Sequence, residues 1–513
     1  MSAPAGKSVL ARNTFYAFLG YGITFLVPLF FVPYILHRVG RDAFGVLAVL
    51  ATVGFWLGRF DFGIWAALPR EVASRRARED RKGLEALAST WFFVDLLFAS
   101  AILSAIWLAG RSVIPWLLPA SPVKEVYPTL VAIGLQAVLG PLLRHLSGSL
   151  EGMQRLDLVQ KLTLVVAPLQ VAGLVFFLER GWGIFGVALN GAIFSGLQIV
   201  AVIVLLRRSG YPLTLDPSSY RASDLSRLIG FGWKLEAHQL VLQGYRSDRL
   251  LMSITGLPTV LIGSYQIGAS AVDKLAAGVQ TLSSSVLSAV SDFAARGERA
   301  RIVALLMRAT KYHGLAAFGL LGFAALFGPE VLLLWTGQSM PEAVTVVRLM
   351  AAGCLFSAIV SCSLAVAAAL GRPGWVLISA SAGLLAAVLL YTTVGHRYDY
   401  RGLAGSISAG MVLAQVVFMI GFHGMLEFRW GEWMGNAFLK PLAAGAPLLT
   451  VYGAWRWAAP HLPPVHGRAQ AFGVTASAFL LSAALAWIVS RTLRIVDDVD
   501  VDVLKSLGRR AAA

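Results

Sequence analysis

Arg38-Val39-Gly40-Arg41-Asp42-Ala43-Phe44-Gly45 opens an apolar run that is interrupted by Arg59-Phe60-Asp61-Phe62-Gly63 and then continues to Arg70. An apolar segment of about 20 residues is long enough to cross a bilayer. Arg59 and Asp61 lie well inside this one. An ionisable side chain near a bilayer centre costs about 2.5–3.5 kcal/mol on insertion scales, so such groups face a protein interior or a wet cavity. A span that carries both points to a cavity, and the question becomes which other segments enclose it.

The whole chain is apolar. Of 513 residues, 57% are hydrophobic and 14% charged, and the mean hydropathy is +0.71. A soluble chain carries about 25% charged residues, so these values point to an all-α polytopic membrane protein. The first apolar run, Thr14 to Leu36, is too long for a signal-peptide core and lacks a small-residue cleavage pattern. It reads as a first span. The net charge of +16 would point to nucleic acid in a soluble protein; here it reads as positive-inside bias, with no nucleic acid expected. Cys354 and Cys362 share one apolar run and would sit ~12 Å apart along a helix, too far to bridge. They read as small buried apolar residues. Cys and His show no metal-ligand spacing, and no metal, cofactor or catalytic residue is expected.

Apolar runs separated by polar breaks give fourteen spans, at 13–36, 44–67, 88–109, 126–147, 158–178, 184–206, 228–255, 257–290, 313–336, 344–369, 374–395, 402–425, 438–459 and 470–490. The eighth is too long for a bilayer, so it extends beyond the membrane or breaks near Ser283-Ser284-Ser285. With the N-terminus in the cytoplasm, inner segments hold 28 of the 43 Lys and Arg residues, Arg144 among them, and outer segments hold 11. Such an excess sets orientation and places both termini in the cytoplasm. The basic inner loop 70–82 also fits attraction to anionic lipid. The acidic run Asp497–Asp502 reads as a solvated tail.

Three features recur at an offset of 218 or 219 residues. Gly45-Val46-Leu47-Ala48 is echoed by Gly263-Ser264-Tyr265-Gln266, and Gly152 by Gly371. Gly183, Gly186 and Gly191 are echoed by Gly402, Gly405 and Gly410. Six spans per half make this a parallel repeat. The expected organisation is a six-helix bundle over 1–212, its repeat over 213–430, and an extra helix pair with a cytoplasmic tail over 431–513. The natural cavity then lies between the bundles. A monomer is the default, because two bundles already enclose a cavity.

Val39-Gly40 to Phe44-Gly45 followed by Asp61-Phe62-Gly63 resembles the start of bacterial polysaccharide flippases, of the O-antigen and exopolysaccharide type. So do Gly152-Met153-Gln154-Arg155, Asp248-Arg249-Leu250 followed by Gly263-Ser264-Tyr265, and Leu334-Trp335-Thr336-Gly337. The resemblance spans about residues 8–430. These flippases belong to the multidrug/oligosaccharidyl-lipid/polysaccharide exporter superfamily. The resemblance implies about fourteen transmembrane helices, two bundles in a V around a central cavity, and alternating access. It implies transfer of undecaprenyl-pyrophosphate-linked oligosaccharide repeat units from the inner to the outer leaflet of the bacterial inner membrane, next to a polysaccharide polymerase or export complex. Arg59 is not part of the family pattern.

Such a protein breaks no bond. It hides a sugar and a pyrophosphate from hydrocarbon, and guanidinium suits phosphate geometry best. The expected substrate contacts are Arg59, Lys234, Arg246, Arg249 and Lys274, all inside or at the ends of spans. Arg246 and Arg249 are i, i+3 and share a helix face. Asp61, Glu236 and Asp248 are expected as ion-coupling or structural groups. Asp95 and Arg348 are weaker candidates. Gln136, Asn190 and Gln198 either bond sugar hydroxyls or join helices, and Trp56, Trp233 and Tyr265 are candidates to stack on a sugar ring. A cation-coupled drug exporter of the same superfamily would favour an acidic, aromatic cavity. A lipid II flippase shares the architecture. A membrane enzyme would need a sizeable outer loop, and the longest here, near 111–125, has about 16 residues.

Overall fold

The computed structural model describes residues 7–59, 61–119 and 121–496, with the backbone alone for 7–26, 28, 284, 285, 287, 288 and 373. The acidic run Asp497–Asp502 lies outside the described residues. All regular structure among the described residues is helical. They fall into two compact units, 1–264 and 265–513.

The first unit begins with α1 (Lys7–Leu57), a 51-residue helix kinked at Gly40, where φ is 81°. Glycine reaches that conformation without the Cβ clash other residues meet. The loop expected between the first two spans is therefore this single kink. The chain then runs through α2 (Ile64–Ala77), α3 (Arg81–Leu117), α4 (Val126–Gly152), α5 (Leu156–Glu179), α6 (Gly183–Arg208), α7 (Ala222–Tyr245), α8 (Asp248–Ile254) and the start of α9 (Thr259–Gln280). Helix α4 is central and packs on α1, α2, α3 and α6. Its core includes Leu68, Leu87, Trp91, Leu146, Leu150 and Val202.

At the cytoplasmic side expected from the charge bias, Arg75 of α2 pins three elements. Its Nη2 lies 2.5 Å from Asp224 Oδ1 of α7, and its Nη1 donates to the Gly83 carbonyl of α3 at 2.5 Å. Asp80 caps α3 by accepting from Gly83 N at 2.8 Å. Just before the Gly40 kink in α1, Tyr34 donates to Glu179 of α5 at 2.8 Å, and Arg38 pairs with the same carboxylate.

The second unit holds the rest of α9, then α10 (Ser283–Ala295), α11 (Arg299–Leu326), α12 (Gly328–Thr336), α13 (Pro341–Ala369), α14 (Pro373–Thr393), α15 (Asp399–Leu426), α16 (Trp430–Met434), α17 (Lys440–Ala458) and α18 (Arg468–Thr492). The expected eighth span breaks at Thr281-Leu282, just ahead of the serine run. The expected ninth span bends by 84° between α11 and α12, where Gly328-Pro329 starts a new helix with a residue that has no N–H to donate. Small residues bring α13, α14 and α15 close: Gly353 N donates to Ser408 Oγ at 2.9 Å, and Gly410 abuts Gly383 and Ala387. In membranes such close approach replaces hydrophobic burial as the packing force. Cys354 and Cys362 are both buried, and neither forms a disulfide.

Nine helices among the described residues are long and apolar enough to cross a membrane, ten with the bent pair taken as one. The other expected spans are the first part of α1 and the more polar or broken α7–α8, α9–α10 and α17. Large apolar side chains stand on the outside: Trp107 is 76% exposed and Leu108 72%. Hydrocarbon, not water, is the solvent for such a surface.

Candidate functional site

The stretch that interrupts the second span is a real break in the helix. Helix α1 ends at Leu57, and Arg59 N bonds back to Trp56 O at 3.2 Å. Phe62 (φ 50°) and Gly63 (φ 82°) then turn the chain into α2. Asp61 holds the turn: its carboxylate accepts from Gly63 N at 3.2 Å, and its carbonyl accepts from Ile64 N at 3.0 Å. Gly63 lies backbone to backbone against Gly232 of α7, and a Cβ on either would run into the other's carbonyl. Arg59 and Asp61 are therefore not on a helix, although the sequence places both inside one apolar span. Non-helical backbone at membrane depth is tolerated where it is buried in protein or lines a cavity.

Here it does both. An open cavity of about 800 Å³ lies between α1, α4, α5 and α6. Its walls are largely apolar, with Leu47, Phe55, Ile133 and Val166 among them. Its polar lining is selective. Arg59 and Arg144 bring guanidinium groups, and Gln136, Gln170, Asn190 and Gln198 bring amides. No carboxylate lines it. Asn190 donates to Gln170 O at 3.0 Å, while its own carbonyl oxygen is buried without a hydrogen-bond partner.

Each guanidinium is backed by a buried acid. Arg59 Nη1 lies 3.5 Å from Glu236 Oε2 of α7 and its guanidinium stands over the Phe55 ring at 4.5 Å. Trp65 Nε1 also donates to Glu236, at 2.9 Å. Arg144 Nη2 donates to Gly58 O at 2.8 Å and lies 3.2 Å from Asp61 Oδ2. Asp61 is 1% exposed. Its same Oδ2 lies 3.6 Å from Nε2 of His145, whose Nδ1 is 2.8 Å from Asp95 Oδ2 of α3.

The expected site residues separate into groups. Arg59 lines the cavity; Asp61 and Glu236 sit behind its two cations. Lys234 is exposed, 5.9 Å from the Trp233 ring, and is not part of the lining. Arg246 is exposed and closes α7 as its C-cap. The shared helix face expected for Arg246 and Arg249 does not exist: α7 stops at Tyr245, and Ser247 begins α8, with its N–H bonded to Gly244 O at 3.1 Å. Arg249 is buried beside Asp248, 3.0 Å from its Oδ1, and donates to Arg246 O at 3.2 Å. Lys274 belongs to the second unit, half-buried on α9.

Gln136, Asn190 and Gln198 all reach the cavity wall. Sequence reasoning missed Arg144 by counting it among inner-side charges, and it missed His145 altogether. The signal was available: Arg144-His145 stands inside the apolar run of α4, after Pro141 and before Leu146. Among the described residues no group of three or more His, Cys, Asp or Glu side chains could hold a metal ion.

No model of a known protein family matches the sequence, and no curated protein matches it. Solved structures do. The lipid II flippase MurJ in an inward closed conformation aligns with a TM-score of 0.62 at 15% identity, over 92% of this chain and 99% of that one. An inward-facing multidrug resistance MATE transporter of the MOP superfamily gives 0.59 at 15% identity, over 77% and 94%. A MOP-superfamily transporter from Pyrococcus furiosus, whose binding pocket of reverse polarity suggests a different function, gives 0.59 at 13% identity, over 82% and 95%. The chain therefore has the fold of MOP-superfamily membrane transporters, the fold of MATE exporters and of the flippase MurJ.

Proposed function

We propose that this protein is a flippase for an anionic lipid-linked sugar, moving undecaprenyl-pyrophosphate-linked oligosaccharide repeat units from the inner to the outer leaflet of a bacterial inner membrane by alternating access. The observation that carries this reading is the lining of the cavity in the first unit: two guanidinium groups, four amides and no carboxylate. Arginine binds phosphate oxygens in a fixed fork, and side-chain amides can both donate to and accept from sugar hydroxyls. A binder of organic cations needs the opposite charge, which speaks against a drug exporter.

In this reading residues 1–212 and 213–430 are the two six-helix repeats and 431–513 the appended pair. Both termini are cytoplasmic, the protein works as a monomer, and a polysaccharide polymerase or export complex takes the product. The reach of the likeness to MurJ, over 92% of this chain, favours lipid II as the second reading.

One experiment separates the readings. The gene is deleted in its own bacterium, and surface polysaccharide and radiolabelled lipid-linked sugars are measured. Loss of the polymer with build-up of its full-length lipid-linked repeat unit supports the proposal. Build-up of lipid II with intact polysaccharide supports the second reading. Unchanged lipid-linked sugars with new sensitivity to cationic dyes would refute both.

A further inference from the structure

We infer that His145 is a proton-binding site that controls how firmly Asp61 holds Arg144, and so how strongly the cavity takes an anion. The inference rests on the anionic-cargo reading of that cavity. Its basis is one shared atom. Asp61 Oδ2 faces Arg144 Nη2 at 3.2 Å and His145 Nε2 at 3.6 Å. The imidazole is fully buried, and its other nitrogen is 2.8 Å from Asp95 Oδ2. Nε2 is buried with no hydrogen-bond partner and faces the oxygen that Arg144 uses, so a proton taken up there points at the Asp61 carboxylate. A buried polar atom of this kind calls for an explanation.

The charges around His145 are few. Asp61 comes from the turn, Asp95 from α3 and Arg144 from α4 itself; Arg59, at the end of α1, is taken up by Glu236 of α7. Helix α2 brings Ile64 and Leu68 to this core, and α6 brings Ile199 and Val202. The ring of Trp91 lies 5.6 Å from the imidazole. Asp61, Asp95 and Arg144 sum to one negative charge, so a proton on His145 brings the cluster to neutrality and its loss leaves a buried anion. A void of about 10 Å³ touches both Asp61 and Asp95, about the space of one water, and offers a proton a route between them.

With the proton on, His145 shares Asp61 and Arg144 is freer to meet an anion in the cavity. With the proton off, the carboxylate holds Arg144 alone. Anion affinity therefore falls as pH rises through the titration of His145. By linkage, a bound anion raises the pH at which His145 loses its proton.

The test uses the full chain in lipid nanodiscs, with ¹⁵N-labelled histidine and sulfate, whose charge is constant across the range. The His145 resonance is assigned by its loss in His145→Gln. Calorimetry gives sulfate affinity against pH. We expect the midpoint of the His145 titration to rise in sulfate. Sulfate affinity should fall by up to about tenfold per pH unit, the slope of one linked proton, and the slope should vanish in His145→Gln. Asp95→Asn, which keeps the side-chain shape, should lower the midpoint by more than one pH unit. In Arg144→Gln the midpoint should no longer respond to sulfate. A His145 signal that never titrates, or sulfate binding that leaves its midpoint unmoved, overturns the inference alone. No sulfate binding at any pH overturns it together with the anionic-cargo reading.

Discussion

Replacing Gly232 by alanine sets two effects of known sign against each other. In a helix interior alanine is favoured over glycine by about 0.8–1.0 kcal/mol. Gly230, two residues earlier in α7, shows that gain undisturbed: it is exposed, and a Cβ there meets nothing within 4 Å. Gly230→Ala should stabilise the protein by about 1 kcal/mol. Gly232 is buried, and its Cβ would strike the carbonyl of Gly63. That neighbour is backbone and cannot swing aside. It also sits at φ 82° in the turn that places Asp61. Overpacking of this kind costs about 1–3 kcal/mol, so Gly232→Ala should fall below Gly230→Ala by that amount. Tryptophan-monitored thermal unfolding in detergent ranks the two variants against the parent. A Gly232→Ala protein as stable as Gly230→Ala would refute the close backbone contact between the turn and α7.

Other outcomes follow from the same geometry. Asp224→Asn leaves the buried Arg75 charge with only the more distant Glu71 carboxylate, 3.8 Å from its Nε, and should cost up to about 3 kcal/mol, seen as a drop in the unfolding temperature; the double variant Arg75→Met/Asp224→Leu should recover much of it. Glu236→Gln removes the negative charge 3.5 Å behind Arg59, which repels an anion drawn to that guanidinium, and should raise sulfate affinity measured by calorimetry. Arg144→Lys keeps the charge but loses the planar guanidinium, whose Nη2 alone bonds both Gly58 O and Asp61 and leaves its other nitrogens for an anion's oxygens, so export should fall nearly as far as in Arg144→Gln, measured as surface polymer per unit of membrane protein. Cys354 and Cys362, 1% and 0% exposed, should resist a membrane-permeant maleimide in the folded protein and both react in SDS.

Hydropathy made most of the long helices legible, because lipid demands apolar residues over a fixed length whatever a helix packs against. It failed where the chain stays apolar but stops being helical. Leu57 to Ile64 reads as one span, yet Phe62 and Gly63 at positive φ interrupt it; Gly58 and Gly63 on either side of Arg59-Phe60-Asp61-Phe62 were the available hint. The α11–α12 bend was masked in the same way, since Gly328-Pro329 is as apolar as its surroundings. Arg59 and Asp61 stood out because charge inside a span is costly and therefore informative. Arg144 did not, because it lies close enough to a span end to pass for an inner-side cation. Its role depends on pairing with residues more than 80 positions away, and no local pattern encodes such a pairing. Lys234 and Arg246, both exposed, lie outside the lining of the first unit's cavity, and hydropathy alone does not tell which face of a polar helix a cation takes.

Arg144 carries one more consequence. The last carbonyls of any helix lack partners in their own ladder, and at the end of α1 the Gly58 carbonyl is taken by Arg144 Nη2 at 2.8 Å. A side chain from α4 thus serves as the terminal cap of α1. An anion that draws this guanidinium into the cavity uncaps that helix, and occupancy is felt as fraying of its final turn. In the anionic-cargo reading, Gly58 and Arg59 then become part of a hinge between α1 and the Asp61 turn, one that loosens when cargo arrives and stiffens when it leaves.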